Sequence, residues 1–441
     1  MAFLCILSFL TYFDRVCIMR AQGDIQRDLQ ISDTGLRGMG VIFGVFWLAY
    51  AIFEIPSGWL GEKFGARRTL TRVVLVWSIF TALSGAAVGF TSLLVCRFLF
   101  GAGEAGAYPN MAKVQSRWLP ADSQGRVSGM LWLVARWGAA LSPIMFGSFQ
   151  RAADSPNVRS FLGHISPAIA KVPGWRLGFF VSGFLGIAWI LLFYPWFRDE
   201  PAEKASVNEA ELSLIRGGRA PRDLRRRPKH DARLWRDLFT SRSLWGLSFV
   251  YVFGSFGWSF FVSWMPKFFL KVHHIDYAKS EWMSALPMLC GGVASLAGGW
   301  MSDAIIRKLG RKRFARAIFP IVGHIVAAVA IFSLRYADTT TKAVTLMCIT
   351  MAAYDLGLGG KWAAIIDVGG SHAGIAAGFV NMMGNLGGNF LQPIIGGAIF
   401  TRFGWGALFA VYAATYLLSA AMWVFINPDQ QFHKPINEGL G

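Results

Sequence analysis

Hydrophobic residues in this chain neither alternate with polar ones nor recur at the spacing of a one-sided helix. They run in blocks. Twelve apolar blocks cover residues 2–19, 38–60, 69–90, 92–113, 126–149, 175–197, 243–269, 281–302, 314–334, 343–366, 373–400 and 405–426. Each is close to the roughly 20 residues that a helix needs to cross a bilayer core. Only helices and closed barrels satisfy their backbone inside lipid, and blocks of this length suit helices. The pattern therefore predicts an all-α membrane protein with twelve transmembrane helices, numbered here as spans 1 to 12. A long polar stretch, 198–242, divides the spans six and six. The expected organisation is an N-terminal six-helix bundle (1–197), a cytoplasmic basic linker (198–242), a C-terminal six-helix bundle (243–426) and a cytoplasmic tail (427–441).

Internal repetition supports two halves. Span 5 carries Gly138, Pro143 and Gly147, and span 11 carries Gly388, Pro393 and Gly397, an offset of 250 at each position. After span 2 the chain reads Gly58-Trp-Leu-Gly-Glu62-Lys63-Phe-Gly-Ala-Arg67-Arg68, and after span 8 it reads Gly299-Trp-Met-Ser-Asp303 and then Arg307 within a basic run. Parallel repeats with a binding site between them near the midplane are a recurrent transporter design.

Composition agrees. The 441 residues are 54% hydrophobic, 15% charged and include 49 glycines, and mean hydropathy is +0.44. Glycine suits close packing of membrane helices. The net charge of +18 does not point to nucleic acid, because the bases lie between apolar spans. Lys and Arg favour the face that carries the loops after spans 2 and 8, which places that face and both termini in the cytoplasm. Much of this bias comes from the central linker. The linker opens with an amphipathic helix candidate around Val207–Leu212 and then becomes arginine-rich, as for a solvated segment with affinity for anionic lipid. The five cysteines fall in apolar runs without CxxC spacing and read as small buried hydrophobes. The first span lacks the basic n-region of a cleaved signal peptide, and the chain begins almost inside it. There is no GxxxxGK[ST] for ATP, no histidine constellation for a metal and no nucleophile–base pair, so neither an enzyme nor a cofactor is expected. His324, in span 9, reads as a hydrogen-bonded structural residue.

Charge inside the spans carries the chemistry. Span 1 contains Tyr12-Phe13-Asp14-Arg15, and span 4 contains Arg97 and Glu104, two helical turns apart and so on one face. Such residues are costly in a membrane and mark pathways. Low dielectric disfavours an ionised carboxyl, and a nearby arginine favours it. Movement of substrate or water past Asp14 or Glu104 would then switch its protonation, which is a proton-coupling device. The same charges could instead form static buried ion pairs that fix packing. Other candidates at span centres are Trp47, Tyr50 and Glu54 in span 2, Tyr251 and Ser255 in span 7, Asp355, Lys361 and Trp362 in span 10, and Asn381, Asn385 and Asn389 in span 11. The asparagine stripe could equally be interhelical glue. Tyr108 before Pro109 could simply cover a kink.

The loop after span 2, with its glycine, acid and flanking bases, resembles the signature of the major facilitator superfamily. There the acid bonds a neighbouring helix end or basic side chain and locks one face. The resemblance makes Gly58, Glu62, Lys63, Arg67, Arg68, Asp303 and Arg307 gate candidates. The span-1 motif and the span-4 run Arg97-Phe-Leu-Phe-Gly101-Ala-Gly103-Glu104-Ala-Gly-Ala-Tyr108-Pro109 look like the anion:cation symporter family, carriers of sugar acids and other organic anions. Gly174-Trp175-Arg176, Phe197-Arg198-Asp199-Glu200-Pro201, Trp264-Met265-Pro266 and Gly384-Asn385-Leu386-Gly387-Gly388 extend the likeness nearly end to end. By resemblance, Asp14 and Glu104 carry protons, Arg15 binds the substrate anion with Asn381 and Trp362 in the pocket, and Arg97 tunes the acids. Tyr12, Trp47, Tyr251 and Asn385 join the pocket candidates from their places in the spans, with packing alone the equal alternative for Trp47 and Tyr50.

The chain departs from the sugar-acid pattern at Arg136, near a position where some of those carriers place glutamine, and at Lys361. Arg136 faces the cavity or pairs with an acid such as Glu54. Lys361 either snorkels to the inner face or joins Arg15 and Arg136 in a site for more than one anionic group. The expected function is proton-coupled symport of a small organic anion by alternating access, in a monomer surrounded by lipid in a bacterial inner membrane, with the proton as coupling ion. The rivals are an organic-anion or organophosphate antiporter or uniporter, and a non-transporting membrane anion sensor.

Overall fold

In the computed structural model, residues 1–32, 37–216, 232–275 and 277–433 are described. The arginine-rich part of the linker, 217–231, and the tail beyond 433 lie outside the described residues. Those described form twelve helical spans. Span 1 is Ala2–Leu29, ten residues longer than its apolar block. Lipid sets the length of the apolar part, whereas helix hydrogen bonding continues into water. The polar extension is held by Arg176, which pairs with Asp28 at 3.0 Å, and ends at Gln30 in a left-handed conformation.

Spans 4 and 10 are each broken near their middle. Span 4 is Phe90–Glu104 followed by Ala107–Trp118. Pro109 has no N–H, so the carbonyl four residues back loses its partner and the helix loosens there. Span 10 is Thr340–Leu356 followed by Leu358–Gly369, with Gly357 at the break packed on Pro320. Span 11 (from Ala373) contains a π-helical turn at Asn385–Leu391. Its continuation, Gln392–Ala421, runs into span 12 across a kink at Gly404, whose φ of +73° suits glycine.

Within the first six spans, span 1 packs on span 5, span 2 on span 4 and span 3 on span 6. Within the last six, span 8 packs on span 10, span 9 on span 10 and span 7 on span 11. Between the two groups, span 5 lies along span 8 and span 2 along span 11. These crossings are tightest at the end that carries the basic loops. A Cβ built on Gly58 would sit 2.5 Å from the Gly374 carbonyl oxygen, and one on Gly299 would drive into that of Gly125. Ser295 Oγ also donates to Gly129 O at 3.0 Å. At the opposite end of the same spans, Gly40, Gly44 and Gly397 have open space around them. The structure is closed at the basic-loop face.

The gate candidates divide on this geometry. Glu62 Oε1 accepts from the Gly374 N–H at 3.2 Å, at the start of span 11, and its other oxygen lies 3.2 Å from Lys113 Nζ. Asp303 accepts from the Gly125 and Arg126 N–H groups at 3.1 and 2.6 Å, at the start of span 5, and pairs with Arg316 at 2.7 Å. Each acid therefore caps a helix N-terminus across the interface, where the helix dipole favours negative charge. Arg307 reaches the Asp122 carbonyl at 3.2 Å. Lys63, Arg67 and Arg68 do not cross the interface, contrary to expectation. Lys63 lies 4.8 Å from the Trp59 ring of its own helix and Arg68 is exposed. Arg67 donates to Tyr194 O and, through its backbone N–H, to Asp199, both at 2.8 Å. They sit on the outer side of the turn, where water or the linker root is the nearer partner.

Two further expectations change. Of the cysteines, only Cys17 is buried, and Cys290 is exposed. An apolar span has a lipid-facing side, so apolar context does not imply core. The linker begins pinned, since Asp199 holds Arg67 and Glu200 pairs with Arg117, then forms helices Glu209–Arg216 and Ala232–Thr240. The tail docks on this face: Phe432 N–H donates to Val368 O at 2.9 Å, and His433 Nδ1 lies 2.8 Å from Asp237, holding that carboxyl below the usual carboxylate range. His324 accepts the structural role expected of it, between Pro320 O and Ser419 Oγ.

Closure through glycine backbones predicts a sensitive variant. Overpacking costs about 1–3 kcal/mol, enough to raise an open population roughly tenfold or more. Gly299→Val is therefore expected to open the basic-loop face. Labelling of a cysteine at Ser295→Cys by a membrane-impermeant thiol reagent, above the native-cysteine background, should accelerate by about that factor. An unchanged rate would mean that the glycine contact does not hold this face shut.

Candidate functional site

Above the closed face lies a narrow cavity between the two groups of spans, with a volume of about 40 Å³ open to the centres of water molecules. Arg15 and Arg136 line it, as do Tyr12, Tyr251, Asn381 and Asn385 from the expected set. Tyr50, Ser255 and Asn389, the weaker candidates, line it too. Tyr108 does more than cover a kink: it lines the cavity and stacks on Trp132, with ring centroids 4.7 Å apart.

Arg15 is held in a box of rings. Its guanidinium carbon lies 4.6 Å from the Tyr50 ring, 4.8 Å from Tyr12 and 5.0 Å from Trp47. Such faces attract a cation strongly when water is excluded. Its Nη2 donates to Glu104 Oε1 at 3.1 Å, and both side chains are buried. Asp14, one residue earlier, turns about 100° around the helix and away from that pair. Both Asp14 carboxyl oxygens, and Arg97 Nε and Nη1, are buried without a hydrogen-bond partner among the described residues. Glu104 and Arg97 are the charges that act on Asp14. Of these four charges the structure pairs Arg15 with Glu104, through a single contact that leaves Arg15 Nε and Glu104 Oε2 without a hydrogen-bond partner among the described residues.

Arg136 pairs with Asp355, not with Glu54. Its Nε and Nη2 donate to the two Asp355 oxygens at 2.7 and 2.8 Å, a buried two-pronged bridge from span 5 to span 10. Glu54 instead accepts from the side-chain amides of Asn381 and Asn385, linking span 2 to span 11. Asn389 donates to Asn385 Oδ1 at 2.7 Å. The π turn carries Asn385 and Asn389 at the cavity, a placement typical of such bulges at functional sites.

Three expected contact residues stand one layer back. Trp47 supports Arg15 from behind. Trp362, almost fully buried, packs edge-on against Tyr108 and Trp132. Lys361 is buried rather than snorkelling, its ammonium 3.8 Å from the Tyr354 ring, with no hydrogen-bonded acceptor for it among the described residues. Spacing gives a helix face but not how deep a neighbour's rings reach in front of it. Asp355 was a bare polar candidate, yet it is central. Glu104 and Asp355 stand 251 positions apart, each just before the break in its span. The repeat offset of 250 was the signal that could have found it. Trp132, Trp258, Lys113 and Arg316 were not singled out. Trp132 and Trp258 look like ordinary span aromatics, and the two bases look like loop bases.

A twelve-span bundle with a charged cavity between two groups of six is the architecture of a membrane carrier, and the chain belongs to the Major Facilitator Superfamily, whose profile matches residues 4–390. It is a transporter, not an enzyme. In line with the likeness to anion:cation symporters, its relatives carry small organic acids. It is 29% identical to a protein of Cupriavidus necator named as a probable sulfoacetate transporter, over 96% of this chain and 92% of the relative. It is 28% identical to a probable galactarate/D-glucarate transporter of Bacillus subtilis, over 89% and 83%, and 27% identical to a hexuronate transporter of the same organism, over 96% and 92%. Among solved structures it resembles the proton:xylose symporter XylE, with a TM-score of 0.68 at 14% identity over 97% of this chain and 95% of that one. It also resembles the human organic anion transporter MFSD10, with a TM-score of 0.69 at 12% identity over 96% and 98%. These two likenesses concern the fold.

The Arg136–Asp355 bridge yields a stability test. Removing one partner of a buried pair costs about 3–5 kcal/mol, because the other charge is left uncompensated. Arg136→Gln alone should lower the thermal midpoint of the detergent-solubilised protein markedly, and Arg136→Gln/Asp355→Asn should recover most of the loss. Simple addition of the two single effects would show that the groups are not coupled.

Proposed function

We propose that the protein carries a small organic anion together with protons by alternating access, with the basic loops and both termini in the cytoplasm of a bacterial inner membrane. The observation that carries this reading is Arg15 at the cavity wall, shared with Glu104 and backed by the unpaired Asp14 and Arg97. A carboxylate or sulfonate entering the cavity offers Arg15 an anion in place of Glu104. Glu104, released in a dry site, is held most cheaply as the neutral acid. Asp14, with the Trp77 indole as its nearby donor and no base bonded to it among the described residues, meets the same condition. Anion entry and proton uptake then compensate each other's charge. Asn381 and Asn385 reach the same cavity from the other half, so a polar substrate touches both. Rocking the halves exposes the cavity to the basic-loop face by breaking the Glu62 and Asp303 caps. The relatives named for sulfoacetate, galactarate/D-glucarate and hexuronate support an organic acid as substrate. No cofactor enters this scheme, and the unit is a monomer in lipid.

Purified protein in proteoliposomes, given labelled glucarate, galacturonate or sulfoacetate under an imposed inward proton gradient, should accumulate at least one of them. Dissipating the gradient should abolish accumulation, and Asp14→Asn and Glu104→Gln should uncouple it while counterflow exchange persists. Undiminished accumulation without a gradient, and in both variants, would sink proton coupling. Binding without flux would sink the carrier reading.

A further inference from the structure

We infer that Arg136, oriented by Asp355 and with Lys361 one layer behind it, is a second anion subsite, and that the substrate is a short organic dianion with one anionic group at Arg15 and the other at Arg136. This inference rests on the anion-carrier reading and sharpens its substrate class.

Arg136 shares the cavity wall with Arg15. A short chain of aromatic neighbours connects them. Arg15 lies over Tyr12, Tyr12 meets Trp132 at 6.2 Å between centroids, and Arg136 lies 5.6 Å from the Trp132 ring. Both cations therefore bracket one small space. Asp355 takes Nε and Nη2 of Arg136, and no described residue accepts from Nη1. A guanidinium has five N–H donors, so the bridge consumes one edge and leaves another. Asp355 fixes the plane of the group from the far half, with Trp258 4.9 Å from the guanidinium carbon on the cavity side. A guanidinium held in this way is already oriented for a carboxylate or sulfonate.

Charge balance asks for an anion here. Around Lys361 the charges that act are Asp355 and Arg136. The cluster has two bases and one acid in a buried setting, and the Lys361 ammonium faces the rings of Tyr354 and Tyr251 at 3.8 and 5.9 Å. With Lys361 protonated, one further negative group would neutralise it. At Arg15, by contrast, Glu104 and Asp14 match Arg15 and Arg97, so a group binding there calls for a proton. The two ends of a dianion are thus compensated differently, one by a proton and one by the resident lysine. A monoanionic sugar acid would leave the Arg136 cluster unmatched.

The test compares dianions with their monoesters, which keep the shape and remove one charge: succinate and monomethyl succinate, malonate and monomethyl malonate, with galacturonate as a monoanionic sugar acid. Binding to the detergent-solubilised full chain is read by calorimetry. The wild type should prefer a dianion over its monoester at least about tenfold, the scale of one charge-assisted hydrogen bond. Arg136→Gln/Asp355→Asn, which keeps the net charge and the packing, should bind both members of a pair alike. Lys361→Met should narrow the preference, and Arg15→Ala should lose both. A preference that survives in the double variant, a wild type that favours the monoesters, or tight Arg15-dependent galacturonate binding without a dianion preference would overturn the second subsite and leave the carrier reading in place. Absence of binding by every anion, or binding unaltered in Arg15→Ala, would overturn the carrier reading and the inference with it.

Discussion

A charge buried far from water has to be matched, and in this protein the matches are made between helices. Arg15 and Glu104 join spans 1 and 4, and Arg136 and Asp355 join spans 5 and 10. Glu54 is answered by two amides of span 11. Removing one partner of such a pair leaves the other uncompensated, which costs more than the pair itself contributes. The ionisation of these groups and the placement of the helices are therefore one problem. A change in either demands a replacement partner, and the candidates are a proton, an anion or the opposite half.

The closed face obeys the same logic with weaker parts. Lipid gives helices no hydrophobic reason to associate, so small residues and polar contacts do the work. Gly58 and Gly299 let backbones meet, and Glu62 and Asp303 each cap the first turn of a helix in the other half. These bonds are few and lie near water, so they can be exchanged for hydration. The deep pairs cannot be exchanged in that way.

Much of this was legible from the chain. Twelve spans follow from block length alone, because the bilayer fixes that length. Arg15, Asp14, Glu104 and Arg136 stand out because an ionised group in an apolar run is costly and needs a partner or a role. What the chain withheld was partnership. Arg136 was offered Glu54 and takes Asp355, since spacing gives a residue's face on its own helix and not which helices cross there. Lys361 and Trp362 were placed at the substrate although rings of other spans stand in front of them. Lys63, Arg67 and Arg68 were read as a gate because a basic turn looks alike whether its side chains point across the bundle or into water. Arg316, which does meet the gate acid Asp303, was hidden among the bases after span 8.

The repeat is most informative where it is broken. Glu104 and Asp355 hold the same position in spans 4 and 10, but their arginines are not equivalent: Arg15 comes from span 1 and Arg136 from span 5, both in the first half. The first pair therefore lies within one half and the second spans two. If the halves move relative to each other as proposed, Arg15–Glu104 would keep its geometry and respond only to what enters the cavity. Arg136–Asp355 would then have to stretch or break. In an alternating-access cycle the first pair is thus sensitive to ligand and the second to conformation. An anion touching both arginines connects the two, since it replaces on Arg136 what the movement of Asp355 takes away. On the proposed cycle, placing both cations in one half is what would couple the two acids of the duplicated six-helix unit.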